Sequence, residues 1–315
     1  MTRAFIFPGQ GSQAVGMGKA LSEAFPQARA VFEEVDAALS QKLSALMWEG
    51  PAEELTLTAN AQPALMAVSL AAMRVLEAEA GLDLARHAAF VAGHSLGEYS
   101  ALAAAGTFSI ADTARLLRIR GDAMQRATPV GTGAMAALLG LELEAAAEVA
   151  REAAGGEVCD VANDNGGAQV VISGHKAAVE RAVALAPGRG AKRAVMLAVS
   201  APFHCALMAP AAEAMREALA GVAIRQPAVP VVANVEAAPV SDPEAIRDAL
   251  VRQVTGTVRW RESVAFMAAQ GVDAFVEVGS GKVLTGLVKR IAAGGTGVAI
   301  GTPDDVAAFK ATLNA

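Results

Sequence analysis

The sequence predicts an α/β protein with a mainly parallel sheet, interrupted by an inserted ferredoxin-like unit. Three observations predict it. Short β-type runs alternate with longer helical patterns, which is the signature of a parallel sheet with crossover helices. The middle of the chain breaks that rhythm with a β-α-β-β-α-β order, the split βαβ pattern. The chain has 315 residues, 54% hydrophobic and 18% charged, which suffices for a large core and excludes a disordered or fibrous chain. The larger unit is expected over 1–128 and 202–315, and the inserted one over 129–201.

The elements follow in order. Arg3–Phe7 reads as a strand, and its four-residue apolar run, Ala4 to Phe7, is too short for a signal-peptide core. The next 30 residues or so are helical throughout, with Pro26–Leu39 as the clearest segment. Gln62–Ala80 reads as a helix, Ala88–Ala92 as a strand and Ile110–Ala127 as a helix. Thr128-Pro129-Val130-Gly131 marks the crossing into the insert. There Gly133–Leu139, Val158–Asn163, Ala168–Ser173 and Ala194–Val199 read as strands, with Glu142–Ala154 and Lys176–Ala186 as helices among them. Asn165-Gly166-Gly167 supplies the hairpin turn between the central pair. Ser200-Ala201-Pro202 marks the return. Helices are expected at Cys205–Leu219, Pro243–Val254, Arg261–Ala269 and Lys282–Ala292, and strands at Val229–Ala233, Ala274–Val278 and Gly297–Ile300.

Composition also bounds function. Twenty-six basic against 32 acidic residues give a net charge of -6, and no Lys/Arg block stands out, so nucleic-acid binding is not expected. Cys159 and Cys205 are the only cysteines, too few for a disulfide framework and without the Cys-x-x-Cys spacing of zinc sites. A reduced, cytoplasmic setting fits. Leu55–Met73 and Ala194–Ala212 are uncharged for 19 residues each, close to the ~20 of a bilayer span. Asn60, Gln62 and Pro63 in the first, and Pro202, His204 and Pro210 in the second, fit buried globular segments better.

Gly93-His94-Ser95-Leu96-Gly97 follows the apolar run from Ala88 to Ala92 and precedes a helical stretch. Gly-x-Ser-x-Gly at a strand-to-helix turn is a nucleophile elbow: the glycines allow a tight turn, the serine hydroxyl is exposed, and the Leu96 N–H can hold an oxyanion. A serine needs a base. Among His87, His94, His175 and His204, His204 is the best placed, because it follows directly on the return from the insert. His94, beside the serine, suits packing or hydrogen bonding. Cys205 is a rival nucleophile, although a thiol in an apolar run is usually core. Gly9-Gln10-Gly11 formally begins a dinucleotide fingerprint, but no second strand ending in an acid follows, so a loop facing the Ser95 turn is expected instead. Gly279-Ser280-Gly281-Lys282 lacks the rest of a P-loop. Arg120 either solvates its helix face or points into the cleft to grip a carboxylate.

FIFPGQGSQ, GHSLGEYSALAAAG, RGDAMQ, ANDNGGAQVVISG, PFHCALM and VEVGSGKVLTGLVKRI, in this order, resemble the malonyl-CoA:acyl carrier protein transacylases of fatty-acid synthesis over nearly the whole chain. The resemblance implies a hydrolase-like α/β core beside the ferredoxin-like unit, and a malonyl-serine intermediate formed without metal, nicotinamide or flavin. It assigns Ser95 as acyl acceptor and His204 as base. The backbone N–H groups of Gln10 and Leu96 become the oxyanion hole, and Arg120 the malonyl carboxylate ligand. The carbonyl of Gln253 is expected to orient the imidazole, and Asn165 to lie in a hairpin near the substrate. Phe203 and Leu96 match a malonyl-selecting pattern, whereas Ala201-Pro202 departs from the usual wording. The implied partners are malonyl-CoA and acyl carrier protein. Lys192, Arg193, Lys289 and Arg290 are candidates for docking that acidic carrier. Two rival readings are an esterase, with Asp112, Asp160 or Asp164 as the orienting acid, and a non-catalytic carrier-binding module.

Overall fold

Apolar runs covered by helices on both faces form a buried parallel sheet, and this chain builds one from its two ends. The computed structural model describes residues 1–313. The first part runs β1 (Arg3–Phe7), α1 (Lys19–Ala24), α2 (Pro26–Leu39), α3 (Leu43–Glu49), α4 (Ala52–Thr56), α5 (Thr58–Ala80), α6 (Leu84–His87), β2 (Phe90–Gly93), α7 (Gly97–Ala104) and α8 (Ile110–Arg126). The middle runs β3 (Gly133–Leu139), α9 (Leu143–Ala154), β4 (Cys159–Asp164), β5 (Gln169–His175), α10 (Lys176–Leu185) and β6 (Arg193–Met196). The last part runs α11 (Ala209–Ala220), β7 (Val231–Ala233), β8 (Ala238–Val240), α12 (Pro243–Gln253), α13 (Trp260–Ala269), β9 (Ala274–Val278), α14 (Val283–Ile291), β10 (Thr296–Ile300) and α15 (Pro303–Leu313).

The fold is mixed α/β. Six strands form a sheet in the order β10-β9-β1-β2-β7-β8, parallel except for the β7–β8 edge pair. Alternate residues of β1 go to opposite faces. Phe5 and Phe7 join the core under α2, α5, α7 and α8, while Ala4 and Ile6 pack with Trp260, Val264 and Leu287 of α13 and α14. Both faces are therefore dry, and the strand reads as one apolar run. The parallel strands end on one edge, the usual place for a ligand in such sheets.

A separate antiparallel sheet has the order β4-β5-β3-β6. One face, with Ala136, Leu138, Val170 and Ile172, is covered by α9 and α10. Met135, Ala137 and Val171 point the other way, toward the end of the parallel sheet. The β4 end is tied down: Asp164 N–H donates to Val258 O (3.0 Å) and Val258 N–H to Ala162 O (2.8 Å). Asp164, 3% exposed in its side chain, pairs with Arg261 at 2.7 Å.

Several expected boundaries move. Strand β6 stops at Met196 rather than Val199, because Leu197–Val199 leave the sheet to cover a cavity. The Cys205 helix begins as a 3-10 turn at Ala206–Met208, and α11 starts at Ala209 with Pro210 in its first turn, where its missing N–H costs nothing. Strand β2 begins at Phe90 and β7 at Val231, each two residues later than expected. The helical stretch after β1 is three helices, α1 to α3, broken at Phe25 and again at 40–42. The β8 edge, α4, α6 and α15 were not anticipated. No helix among the described residues is long and apolar enough to cross a membrane.

Candidate active site

Strand β2 ends at Gly93 and α7 starts at Gly97, so Ser95 sits on the turn between them with φ 55°. Only glycine fits at either end. A Cβ on Gly93 would lie 2.0 Å from the Gly97 backbone, and one on Gly97 would lie 2.3 Å from Phe7 O. A serine at positive φ is strained and persists only where its surroundings over-determine it. Here Asn234 Oδ1 accepts from Ser95 N–H at 2.8 Å, and Asn234 Nδ2 donates to Gly93 O at 2.7 Å. Gln253 Nε2 donates to Ser95 O at 2.9 Å.

His204 is 3% exposed and also has positive φ, 57°. Its Nδ1 lies 2.8 Å from the backbone carbonyl of Gln253. A carbonyl only accepts, so Nδ1 carries the proton and the Nε2 lone pair is left for the serine. Nε2 is 2.7 Å from Ser95 Oγ. Burial and the Arg120 charge push the imidazole down to about 3, so it is neutral at pH 7. No acid orients it. Asp112 accepts from the Ser109 hydroxyl and pairs with Arg115, Asp160 accepts from Ala206 N–H, and Asp164 pairs with Arg261. The orienting role that the esterase reading gives to one of these falls to a backbone carbonyl.

Arg120 points inward. It is 1% exposed, which resolves the choice between a solvated face and the cleft. Its Nη1 donates to Gln62 Oε1 (2.8 Å), and its Nη2 to Gln253 Oε1 (2.8 Å) and Ser95 Oγ (3.2 Å). Its Nε is buried without a partner, and among the described residues no carboxylate pairs with it. A guanidinium held by neutral amides keeps its charge for a ligand beside the serine.

Ser95 and His204 open onto a cavity of about 300 Å³, lined also by Gln10, Met135, Leu197 and Phe203. A second cavity of about 480 Å³ shares Gln10, Gly11, His94, Asn163 and Leu197 with it and continues past Asn165 to Lys282 and Arg290. The helical ladder of α7 opens with Gly97 N–H to His94 O and Glu98 N–H to Ser95 O, so Leu96 N–H lies ahead of the first bond. His94 makes the expected hydrogen bond, from Nε2 to Asn165 Oδ1 at 2.9 Å. Cys205 is fully buried and its thiol is pushed up to about 11 by burial, which removes it as a nucleophile at neutral pH. Lys192 and Arg193 are exposed on and beside the β6 edge, away from the cavity linings, and Lys289 is exposed near the end of α14.

The acyl transferase domain, as a family, matches residues 4–296. The chain belongs to this family. The acyltransferase is 50% identical to the malonyl CoA-acyl carrier protein transacylase of Escherichia coli K12 over 305 residues, 97% of each chain. It superposes on the acyl-carrier-protein-S-malonyltransferase of Bartonella henselae with a TM-score of 0.97, at 58% identity over 100% of both chains. A malonyl-transacylase solved in complex with its type II PKS acyl-carrier protein matches with a TM-score of 0.95 at 44% identity, covering 99% of this chain and 100% of that one.

Sequence reasoning missed three residues of this acyltransferase's site. Gln62 in α5 holds Arg120. Asn234, just after β7, fixes the elbow. Glu98, 2% exposed, accepts from Asn234 N–H (2.9 Å) and Gln253 Nε2 (3.0 Å). One signal was available: an acid inside the apolar helix that follows an elbow. Among the described residues no group of three His, Cys, Asp or Glu forms a metal site.

Proposed function

We propose that the protein transfers a malonyl group from malonyl-CoA to the phosphopantetheine thiol of acyl carrier protein through a malonyl ester on Ser95, in fatty-acid synthesis. The observation that carries the reading is Ser95 Oγ 2.7 Å from a neutral, carbonyl-anchored His204 and 3.2 Å from a buried arginine without a carboxylate. In the first step Nε2 takes the hydroxyl proton as Oγ attacks the thioester carbonyl. The N–H groups of Gln10 and Leu96 receive the oxyanion; losing one such donor typically costs ~10²–10³ in rate. His204 returns the proton to the departing coenzyme A thiol. The carrier thiol then attacks the ester by the reverse sequence. Arg120 binds the free carboxylate, with Gln253 holding both Arg120 and His204. Phe203 bounds the acyl cavity and favours malonyl, and Asn165 lies along the approach. No metal or redox cofactor enters these steps.

The reading extends to architecture: a hydrolase-like core of 1–128 and 202–315 with a ferredoxin-like insert, 129–201, in a cytoplasmic protein. It assigns carrier docking to Lys289 and Arg290 at the mouth of the cleft, with Lys192 and Arg193 on the edge strand as a second contact. The test is intact mass after mixing with malonyl-CoA. The wild type is expected to hold a malonyl adduct that carrier protein discharges, and Ser95→Ala to hold none. An adduct surviving in Ser95→Ala overturns the nucleophile. Rapid release of malonate without carrier favours the esterase.

A further inference from the structure

We propose that Glu98 is a positioning residue whose charge opposes the acyl carboxylate, so that a malonyl group settles on Arg120 with uptake of one proton by Glu98. The inference rests on the reading of Arg120 given above. The proton comes from solvent and converts the Glu98 carboxylate to the acid; no other bond changes.

The geometry places one amide between the two charges. Glu98 Oε2 accepts from Gln253 Nε2 at 3.0 Å, and Gln253 Oε1 accepts from Arg120 Nη2 at 2.8 Å. Gln253 Nε2 has two hydrogens but three acceptors within reach: Ser95 O (2.9 Å), Glu98 Oε2 (3.0 Å) and Asn234 Oδ1 (3.2 Å). An ionised Glu98 draws those hydrogens more strongly than a neutral one. Its charge state therefore reaches the nucleophile's backbone as well as the guanidinium.

The surroundings isolate this pair. Arg120 is the charged group among the buried residues of α8, and Tyr99 is the other titratable group on α7. The buried residues of α5, α12, β1, β2 and β7 include no titratable side chain. His204 stands beyond Gln253, neutral at pH 7. With Glu98 ionised, a bound malonyl carboxylate would make two anions against one guanidinium in a site with little water to screen them. Protonating Glu98 restores one against one. Burial already pushes Glu98 up to about 7, so the proton is within reach near neutrality. Linkage then runs both ways: the carboxylate favours the protonated acid, and a higher pH disfavours the carboxylate.

The test compares malonyl and acetyl thioesters, because an acetyl group lacks the carboxylate while sharing Ser95, His204 and coenzyme A. The ratio of their kcat/KM values for acylation is expected to fall as the pH rises from about 6 to 8.5, by about 5- to 30-fold: the lower figure is the small end of ordinary coupling between two sites, and the upper is the drop in the protonated fraction of an acid titrating at about 7. In Glu98→Gln, which keeps an acceptor oxygen for both donors, the ratio is expected to be flat. A second measurement needs no variant. In weak buffer at pH 7.5, mixing the wild-type enzyme with malonyl-CoA takes up protons, and acetyl-CoA does not. A ratio independent of pH in the wild type, a decline that persists in Glu98→Gln, or equal proton uptake with both thioesters overturns the role of Glu98 alone, provided that intact mass shows the Ser95 adduct. Absence of any adduct on Ser95 removes the proposed function and this inference together.

Discussion

At the scale of the residue, the proposed selectivity rests on Arg120. Its guanidinium rests on Gln62 and Gln253, both neutral, 3.2 Å from the nucleophile. A carboxylate docking on it makes a charge-assisted pair of about 1.5–3 kcal/mol, or roughly 10- to 100-fold in binding. A neutral acyl group leaves the cation buried and unpaired. Arg120→Ala is therefore expected to cut malonyl transfer strongly while sparing or raising acetyl transfer. Arg120→Lys is expected to recover only part, because an ammonium lacks the planar fork. The kcat/KM of both thioesters across the three proteins checks this, and a constant ratio would leave Arg120 a structural charge. Ser95 and the elbow glycines were legible in the sequence because their spacing is local and chemically specific, and His204 because it follows directly on the Ser200-Ala201-Pro202 crossing. Gln62 and Asn234 were not. An uncharged amide in a helix or after a strand looks the same in sequence whether it faces solvent or a guanidinium.

At the scale of elements, one helix start depends on a residue that precedes it on another element. Helix α14 has no side-chain cap from Lys282. Glu277, wholly buried in β9, instead accepts from Leu284 N–H at 3.0 Å and Thr285 N–H at 2.7 Å. The carboxylate satisfies leading N–H groups of the helix and complements its dipole. Glu277→Gln turns one acceptor into a donor facing an N–H, and is expected to cost about 1–3 kcal/mol. The denaturation midpoint should fall while the slope with denaturant stays the same. Sequence reading sees caps that are adjacent, so this one was missed, whereas Pro26–Leu39 was placed to the residue by Pro26 in its first turn. Strand β8 was missed for another reason: a three-residue strand carries too little alternation to register.

Across the whole molecule, the buried site makes stability depend on pH in two opposing ways. His204 lies far below its ordinary value, at about 3. The unfolded chain protonates it below about 6.5 and the folded one does not, so stability falls as the pH drops through that window. Glu98 is pushed up to about 7. Its contribution is present at acid pH and is lost as the pH rises from its ordinary carboxylate range to about 7. Between those limits the two slopes oppose each other, each about 1.4 kcal/mol per pH unit at most. Glu98→Gln is expected to unmask the histidine slope, losing stability relative to wild type as the pH falls from 6.5 toward 4.5. Chemical denaturation of both proteins at matched pH checks it, and parallel curves would mean that Glu98 titrates normally. None of this was visible in the sequence, because burial of a charge is a property of the assembled fold. The alternation of strands and helices, and the order of elements from β3 to β6, were visible because periodicity is written into the chain itself.

Two cavities share His94 and Leu197, and Ser95, the proposed acyl acceptor, lines one of them. A donor thioester and an acceptor thiol must then use the same approach in turn, and neither can wait beside the other. In the proposed mechanism the acyl group is parked on the protein while one carrier departs and the next arrives. Each carrier in excess becomes an inhibitor of the other's half-reaction, and reciprocal plots against either substrate should run parallel. What limits fidelity in such a cycle is the lifetime of the empty-handed interval, when the ester has no partner but water.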